Sequence, residues 1–160
     1  MDKELKVLKE KVRSEDWDTC RIAMARLAEL NSEEATGILL DMLRSNDTQI
    51  RNLAAIAMRD TKDQKYFSAL IERINQLGTK AQIGTLVHAL EYLDCSRNLY
   101  DVAYLNLNAG TNMEVKQSTT VILNGQSFLV TTQELDAITE LLKKFDFTIE
   151  GFDVKYKIID

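Results

Sequence analysis

One short pattern recurs along this chain at nearly even spacing, and it restricts the possible folds more than any other feature. Cys20-Arg21, Ile50-Arg51 and Val115-Lys116 each place a cation after an apolar residue, with small or apolar residues following at Met24-Ala25, Ala54-Ala55 and Thr119-Thr120. Ala81-Gln82 with Thr85-Leu86 is a fainter copy, and successive copies start 30, 31 and 34 residues apart. That period suits one helix-turn-helix hairpin and predicts a helical solenoid rather than a single globular core. Scaffolds of this kind bind other molecules far more often than they catalyse.

Length and composition agree with that reading. A chain of 160 residues suits one domain, and 45 % apolar with 28 % charged residues fits helices better than disorder or membrane. The expected organisation is a single domain over 1–160, with a capping helix at 1–14, repeats over 15–144 and a β-hairpin at 145–160. No run of 18 apolar residues occurs, and Met1 leads into Asp2-Lys3-Glu4-Leu5-Lys6 without an apolar signal core, so a cytoplasmic protein with no membrane partner is expected. Cys20 and Cys95 stand far apart with no clustered ligand residues, which predicts buried, reduced thiols.

The net charge of −5 argues against a nucleic-acid partner. Such a balance either draws in a basic protein or merely keeps a small one soluble. No segment forms a basic stripe, since residues 1–47, 48–110 and 111–160 carry −3, +1 and −3.

Helix signals follow the repeat phase. Leu5, Leu8 and Val12 form the stripe of a one-sided helix able to cover an open stack end. Cys20, Ala23, Met24, Leu27 and Leu30 share one face of the next helix, opened by Ser14 or Asp16. Asn31 with Glu34 predicts the following N-cap, and Asp47 the next. Thr61-Lys62-Asp63-Gln64 and Thr111-Asn112-Met113-Glu114 both have capping-box spacing. Gly78 fits a helix stop in the left-handed conformation, and helix ends account for the other scattered glycines. A third hairpin is expected to run from Thr79 to Leu93, turn at Asp94-Cys95-Ser96 and resume from Arg97 to Asn108.

Residues 119–132 admit two readings. Their β-branched residues and Asn124-Gly125 suggest a β-hairpin, whereas the repeat phase predicts a helix over Val115–Leu123 that stops at Asn124-Gly125. The helix is favoured because Thr131 and Glu134 then cap a further helix through Leu135, Ile138, Leu141 and Leu142. In the tail, Phe145, Phe147 and Ile149, then Phe152, Val154, Tyr156 and Ile158, alternate with polar residues around Glu150-Gly151. This predicts a short C-terminal β-hairpin.

Catalytic and metal-binding patterns are missing from the sequence. The only histidine is His88, no spacing of it with Cys20 or Cys95 suits a metal, and no phosphate loop or nucleophile elbow occurs. No enzyme activity and no cofactor are expected. The repeated cations Arg21, Arg51 and Lys116 are expected to bond an acid or a helix C-terminal carbonyl of an adjacent hairpin. Tyr100 and Tyr104 fall four residues apart, with Asp101, on a helix whose core face Leu99, Val102 and Ala103 already supply, which leaves their rings partly outward.

The stretch Ile50-Arg51 to Ala54-Ala55 and Met58, behind Asp47, resembles the first helix of short HEAT-like repeats, and the resemblance spans roughly residues 15–144. It implies an all-α, right-handed α–α superhelix of about four hairpins, although prolines usual in that pattern are absent. The run from Gly84 to Ser96, with Glu114-Val115 and the Thr-rich cap before the last helix, is similar to small HEAT-like bacterial immunity proteins. The similarity implies a cognate toxin as protein partner, neutralised by stoichiometric binding. Glu34, Asp41, Glu72, Asp101 and Tyr104 are the partner-binding residues expected on a concave face of second helices. A general adaptor in a protein assembly is the alternative.

Overall fold

The computed structural model describes residues 2–160, which form nine α-helices, one 3-10 turn and two short strands. The chain packs as two compact units, Met1–Leu77 and Gly78–Asp160.

The first unit holds α1 (Lys3–Lys11), α2 (Trp17–Leu30), α3 (Glu33–Leu43), α4 (Thr48–Thr61), the 3-10 turn (Gln64–Tyr66) and α5 (Phe67–Leu77). Leu5 and Leu8 of α1, with Val12 after it, are buried against the later helices, and the opposite face is charged. Helix α1 packs on α2 and α3, where the Arg26–Glu4 ion pair at 2.8 Å joins α2 to it. Asp16 and Asp47 cap α2 and α4 by accepting from Thr19 N and Ile50 N. Asn31 is not the cap of α3. It ends α2 at φ 49°, and Ser32 caps α3 by accepting from Ala35 N; the short link needs a left-handed residue, which asparagine tolerates.

Thr61-Lys62-Asp63-Gln64 does not open a helix either. Thr61 is the last residue of α4, Lys62 turns at φ 54°, and Asp63 caps the 3-10 turn. The Thr61 hydroxyl donates to Met58 O at 2.7 Å and accepts from Asp63 N, so it closes one helix rather than starting the next. Helix α2 packs on α4, and α3 on both α4 and α5. Met24, Leu27, Leu39, Leu43, Met58, Tyr66, Leu70 and Ile74 fill the interior between them.

The second unit holds α6 (Gly84–Leu90), α7 (Leu99–Asn108), α8 (Met113–Gly125), β1 (Ser127–Val130), α9 (Thr132–Lys143) and β2 (Lys155–Ile158). Gly78 does take the left-handed conformation, at φ 75°. Helix α6 is shorter than the expected span from Thr79, because residues 79–83 are tied into turns by Ala81 N to Gly78 O and Ile83 N to Ala81 O. Gly84 has a packing role instead of a terminating one. A Cβ there would lie 1.9 Å from Glu114 Oε2 and 2.7 Å from Glu114 Cβ, so the start of α8 can approach α6 only across a glycine. Asn112, not Thr111, caps α8 by accepting from Val115 N. Helix α6 packs on α8, and α7 on both α8 and α9.

Val115–Leu123 is helical, and the helix ends at Gly125 as the Asn124-Gly125 stop predicts, with extended Gln126 leading into β1. The β-branched signal in this stretch was therefore real for its last residues. Thr131 and Glu134 form the expected capping box of α9, with Thr131 N donating to Glu134 Oε2 at 2.7 Å and Glu134 N to Thr131 Oγ1 at 3.1 Å.

The C-terminal β-hairpin is absent, while the fold is mainly α-helical as expected, with one small two-stranded sheet. Strand β2 pairs in parallel with β1, Phe128 opposite Tyr156 and Val130 opposite Ile158, and α9 makes the crossover between them. The alternation of Phe145, Phe147 and Ile149 is overridden by helix termination. Leu141 and Leu142 carbonyls at the end of α9 take the amides of Lys144, Phe145 and Phe147, and Asp146 turns at φ 59°. Phe147 and Phe152 then pack edge to face, with ring centroids 6.1 Å apart.

Candidate protein-binding surfaces

Two of the three repeated cations reach the end of the preceding helix. Arg51, 3 % exposed, donates to the Ser45 and Asn46 carbonyls just beyond α3 and to Thr48 Oγ1. Lys116 Nζ donates to the carbonyl and Oδ1 of Asn106 in the last turn of α7, at 3.2 and 3.0 Å. Each cation meets carbonyls at or just beyond a helix C-terminus, where the helix dipole is negative. Arg21 differs. It stays exposed, pairs with Asp18 on its own helix at 3.4 Å and lies over the Trp17 ring. Arg51 and Lys116 therefore tie helix ends together, whereas Arg21 is a surface group.

Among the expected partner-binding residues of the first unit, Glu34 is exposed on the first turn of α3. Asp41 pairs with Arg44 at 3.4 Å, and Glu72 on α5 accepts from Gln76 Nε2. Arg44, Glu72 and Gln76 line a shallow groove between α3 and α5 together with Leu40, Leu43 and Arg73. Arg73 is fixed there by donating to Ser45 O at 3.1 Å and to Asn46 Oδ1. The groove thus carries both signs of charge, Glu72 lining it beside Arg44 and Arg73.

In the second unit, Asp101 is half-buried at the start of α7, where its Oδ2 accepts from Asn98 Nδ2. It borders a depression shared with Arg97, Tyr100, Glu134 and Ile138. Tyr100 and Tyr104 are 42 % and 44 % exposed and stack with centroids 6.4 Å apart and planes 16° from parallel. Leu99, Val102, Ala103 and Leu105 on the same helix are buried, so packing fixes the backbone under both rings. Tyr92 is also exposed, against the edge of His88, whose Nδ1 lies 3.0 Å from Glu91 Oε1.

Neither thiol is poised for chemistry. Burial, with Asp47 nearby, raises the Cys20 thiol above its ordinary range, and burial with Asp94 nearby pushes Cys95 up to about 12. No group of three or more His, Cys, Asp or Glu residues able to hold a metal lies among the described residues, and none of their helices is long and apolar enough to cross a membrane.

Two positioning residues had no sequence signal. Gln126 reaches back 30 residues or more, accepting from Cys95 N at 2.8 Å and donating to Leu93 O at 3.0 Å, so it fastens the α6–α7 loop. Asp160 Oδ1 accepts from the amide and hydroxyl of Thr132, fastening the second residue after β2 to the start of α9. Both are contacts between distant segments, which local patterning does not reveal. No family model, curated protein or solved structure matches the chain.

Proposed function

We propose that this is a cytoplasmic binding protein that neutralises a cognate bacterial toxin by stoichiometric association, and that its helix pairs are HEAT-like repeats. The observation that carries the binding reading is the stacked Tyr100–Tyr104 pair, exposed on a helix whose other face is locked into the core. Large aromatic side chains held in place before association supply contact area at small entropic cost and are enriched among the residues that dominate interfaces. Asp101 beside them, and Glu34, Asp41 and Glu72 in the first unit, supply acids suited to a basic partner. The repeat reading is supported by packing of α2 on α4 and α3 on α5 in one unit, and of α6 on α8 and α7 on α9 in the other. First helices meet first helices and second meet second, as stacked hairpins do. The likeness of Gly84–Ser96 to immunity proteins supplies the toxin.

Co-expression with the product of the adjacent gene, followed by pull-down and growth rescue, tests the reading. A one-to-one complex that restores growth is expected, and Tyr100→Ala with Tyr104→Ala is expected to weaken it at least tenfold. A complex unaffected by that double change would remove the tyrosines from the site; failure to capture or rescue would remove the toxin.

A further inference from the structure

Strand β2 is an outer strand of the sheet, and all four of its residues are exposed. Ile159 N donates to Val130 O at 3.0 Å, so the backbone groups of Lys155, Lys157 and Ile159 face β1 and those of Tyr156 and Ile158 face outward. The far edge of β1 is already taken, because Leu129 N donates to Ser96 O at 2.8 Å. No strand lies beyond β2 among the described residues.

The side chains of this edge are sorted by face. Tyr156 and Ile158 lie on the same face as the buried Phe128 and Val130, yet they remain 38 % and 46 % exposed. Lys155 and Lys157 lie on the other face, and neither has a carboxylate partner among the described residues. The apolar face of the sheet therefore extends past its cover, beside an open row of backbone donors and acceptors and two free cations.

We propose that β2 accepts a further strand from a partner protein, an extended segment in which acidic residues alternate with apolar ones. The incoming backbone pairs with the outward groups of Tyr156 and Ile158. Its apolar side chains lie beside those two residues, and its carboxylates face Lys155 and Lys157 across the ladder. A second copy of this chain does not meet those requirements. Antiparallel registers that pair Tyr156 with Tyr156 set Lys155 against Lys157, and those that pair Tyr156 with Ile158 set Lys157 against Lys157. Like charges directly opposite destabilise a ladder, and lysines on an edge strand discourage self-pairing for that reason. The surface is independent of the tyrosine pair on α7 and of the toxin reading.

The test uses the full chain and two soluble synthetic peptides, one alternating glutamate with valine and one alternating lysine with valine, with affinity read by calorimetry. The acidic peptide is expected to bind at least tenfold more tightly than the basic one. Lys155→Glu with Lys157→Glu, both at exposed positions, should reverse that preference. Ile158→Pro removes an outward amide while leaving the hydrogen bonds to β1, and is expected to reduce binding at least tenfold with an unchanged circular dichroism spectrum. No binding of the acidic peptide, equal binding of both peptides, or indifference to the lysine reversal would overturn the proposal. So would a concentration-dependent dimer that Ile158→Pro abolishes, since the occupant would then be a second copy.

Discussion

At the scale of single residues, the recurring cation behaves differently from one copy to the next, and the difference is measurable. Arg51 satisfies two carbonyls and a hydroxyl while almost fully buried, whereas Arg21 pairs on the surface with Asp18. Arg51→Ala removes three part-buried hydrogen bonds and a buried side chain, and is expected to cost about 2 kcal/mol. Arg21→Ala is expected to stay within about 0.5 kcal/mol. Denaturant titration of both variants checks this, and equal costs would refute a stabilising helix-end role that Arg51 has and Arg21 lacks. Gly84→Ala is a second case. The added methyl meets Glu114 Cβ at 2.7 Å, a backbone-anchored atom that cannot swing away, and the cost should be about 1–3 kcal/mol. Glu114→Gly removes that obstacle, so the double variant should be less destabilised than the two single costs predict when added. Simple additivity would mean the approach of α8 to α6 is not the reason for glycine.

At the scale of elements, the junction between β2 and α9 depends on a charged group. Hydrogen bonds from Thr132 hold the Asp160 carboxyl below the ordinary carboxylate range. A depressed folded value means that its contribution is complete above the ordinary carboxylate range and is lost as pH falls through the lowered one. Protection factors of the Thr132 and β2 amides, which correct for the slower intrinsic exchange at low pH, should therefore fall on acidification, and Asp160→Asn should remove that part of the pH dependence. A profile identical in the variant would show that the carboxylate is not the fastener. The elements also show how far local chemistry could be read. Helices α1, α2, α4 and α9 follow from apolar stripes and from caps at Asp16, Asp47 and Thr131, all interactions within a turn or two. Boundaries failed where two caps competed, as when Ser32 displaced Asn31 and Asn112 displaced Thr111. The tail failed for another reason: alternation records that a segment has two faces but not which strand it joins. Phe145–Ile149 was consumed in ending α9, and Tyr156–Ile158 found its partner in Phe128–Val130, across a helix. Among the candidate site residues, exposure of Tyr100 and Tyr104 was legible because the core face of α7 was already full. Arg44 and Arg73 beside Glu72 in the α3–α5 groove were not, since each is placed by packing between helices.

At the scale of the whole molecule, the proposed function assigns the net charge of −5 to how a partner is met and the tyrosines to how long it is held. Screening shortens the reach of exposed charges to about 10 Å at 0.1 M salt, so a field that steers a basic partner weakens steeply as salt is added. Contacts of stacked rings in a desolvated patch are far less sensitive to salt. Association and dissociation rates should therefore respond to different substitutions. Glu72→Lys with Asp101→Lys is expected to slow association several-fold at low salt and to flatten its salt dependence, with dissociation nearly unchanged. Tyr100→Ala with Tyr104→Ala is expected to speed dissociation at least tenfold and leave the salt dependence as it was. Surface plasmon resonance at several ionic strengths separates the two. If the charge reversals left association unchanged across that range, the acidity would serve solubility alone, and the binding energy would rest on the apolar contacts.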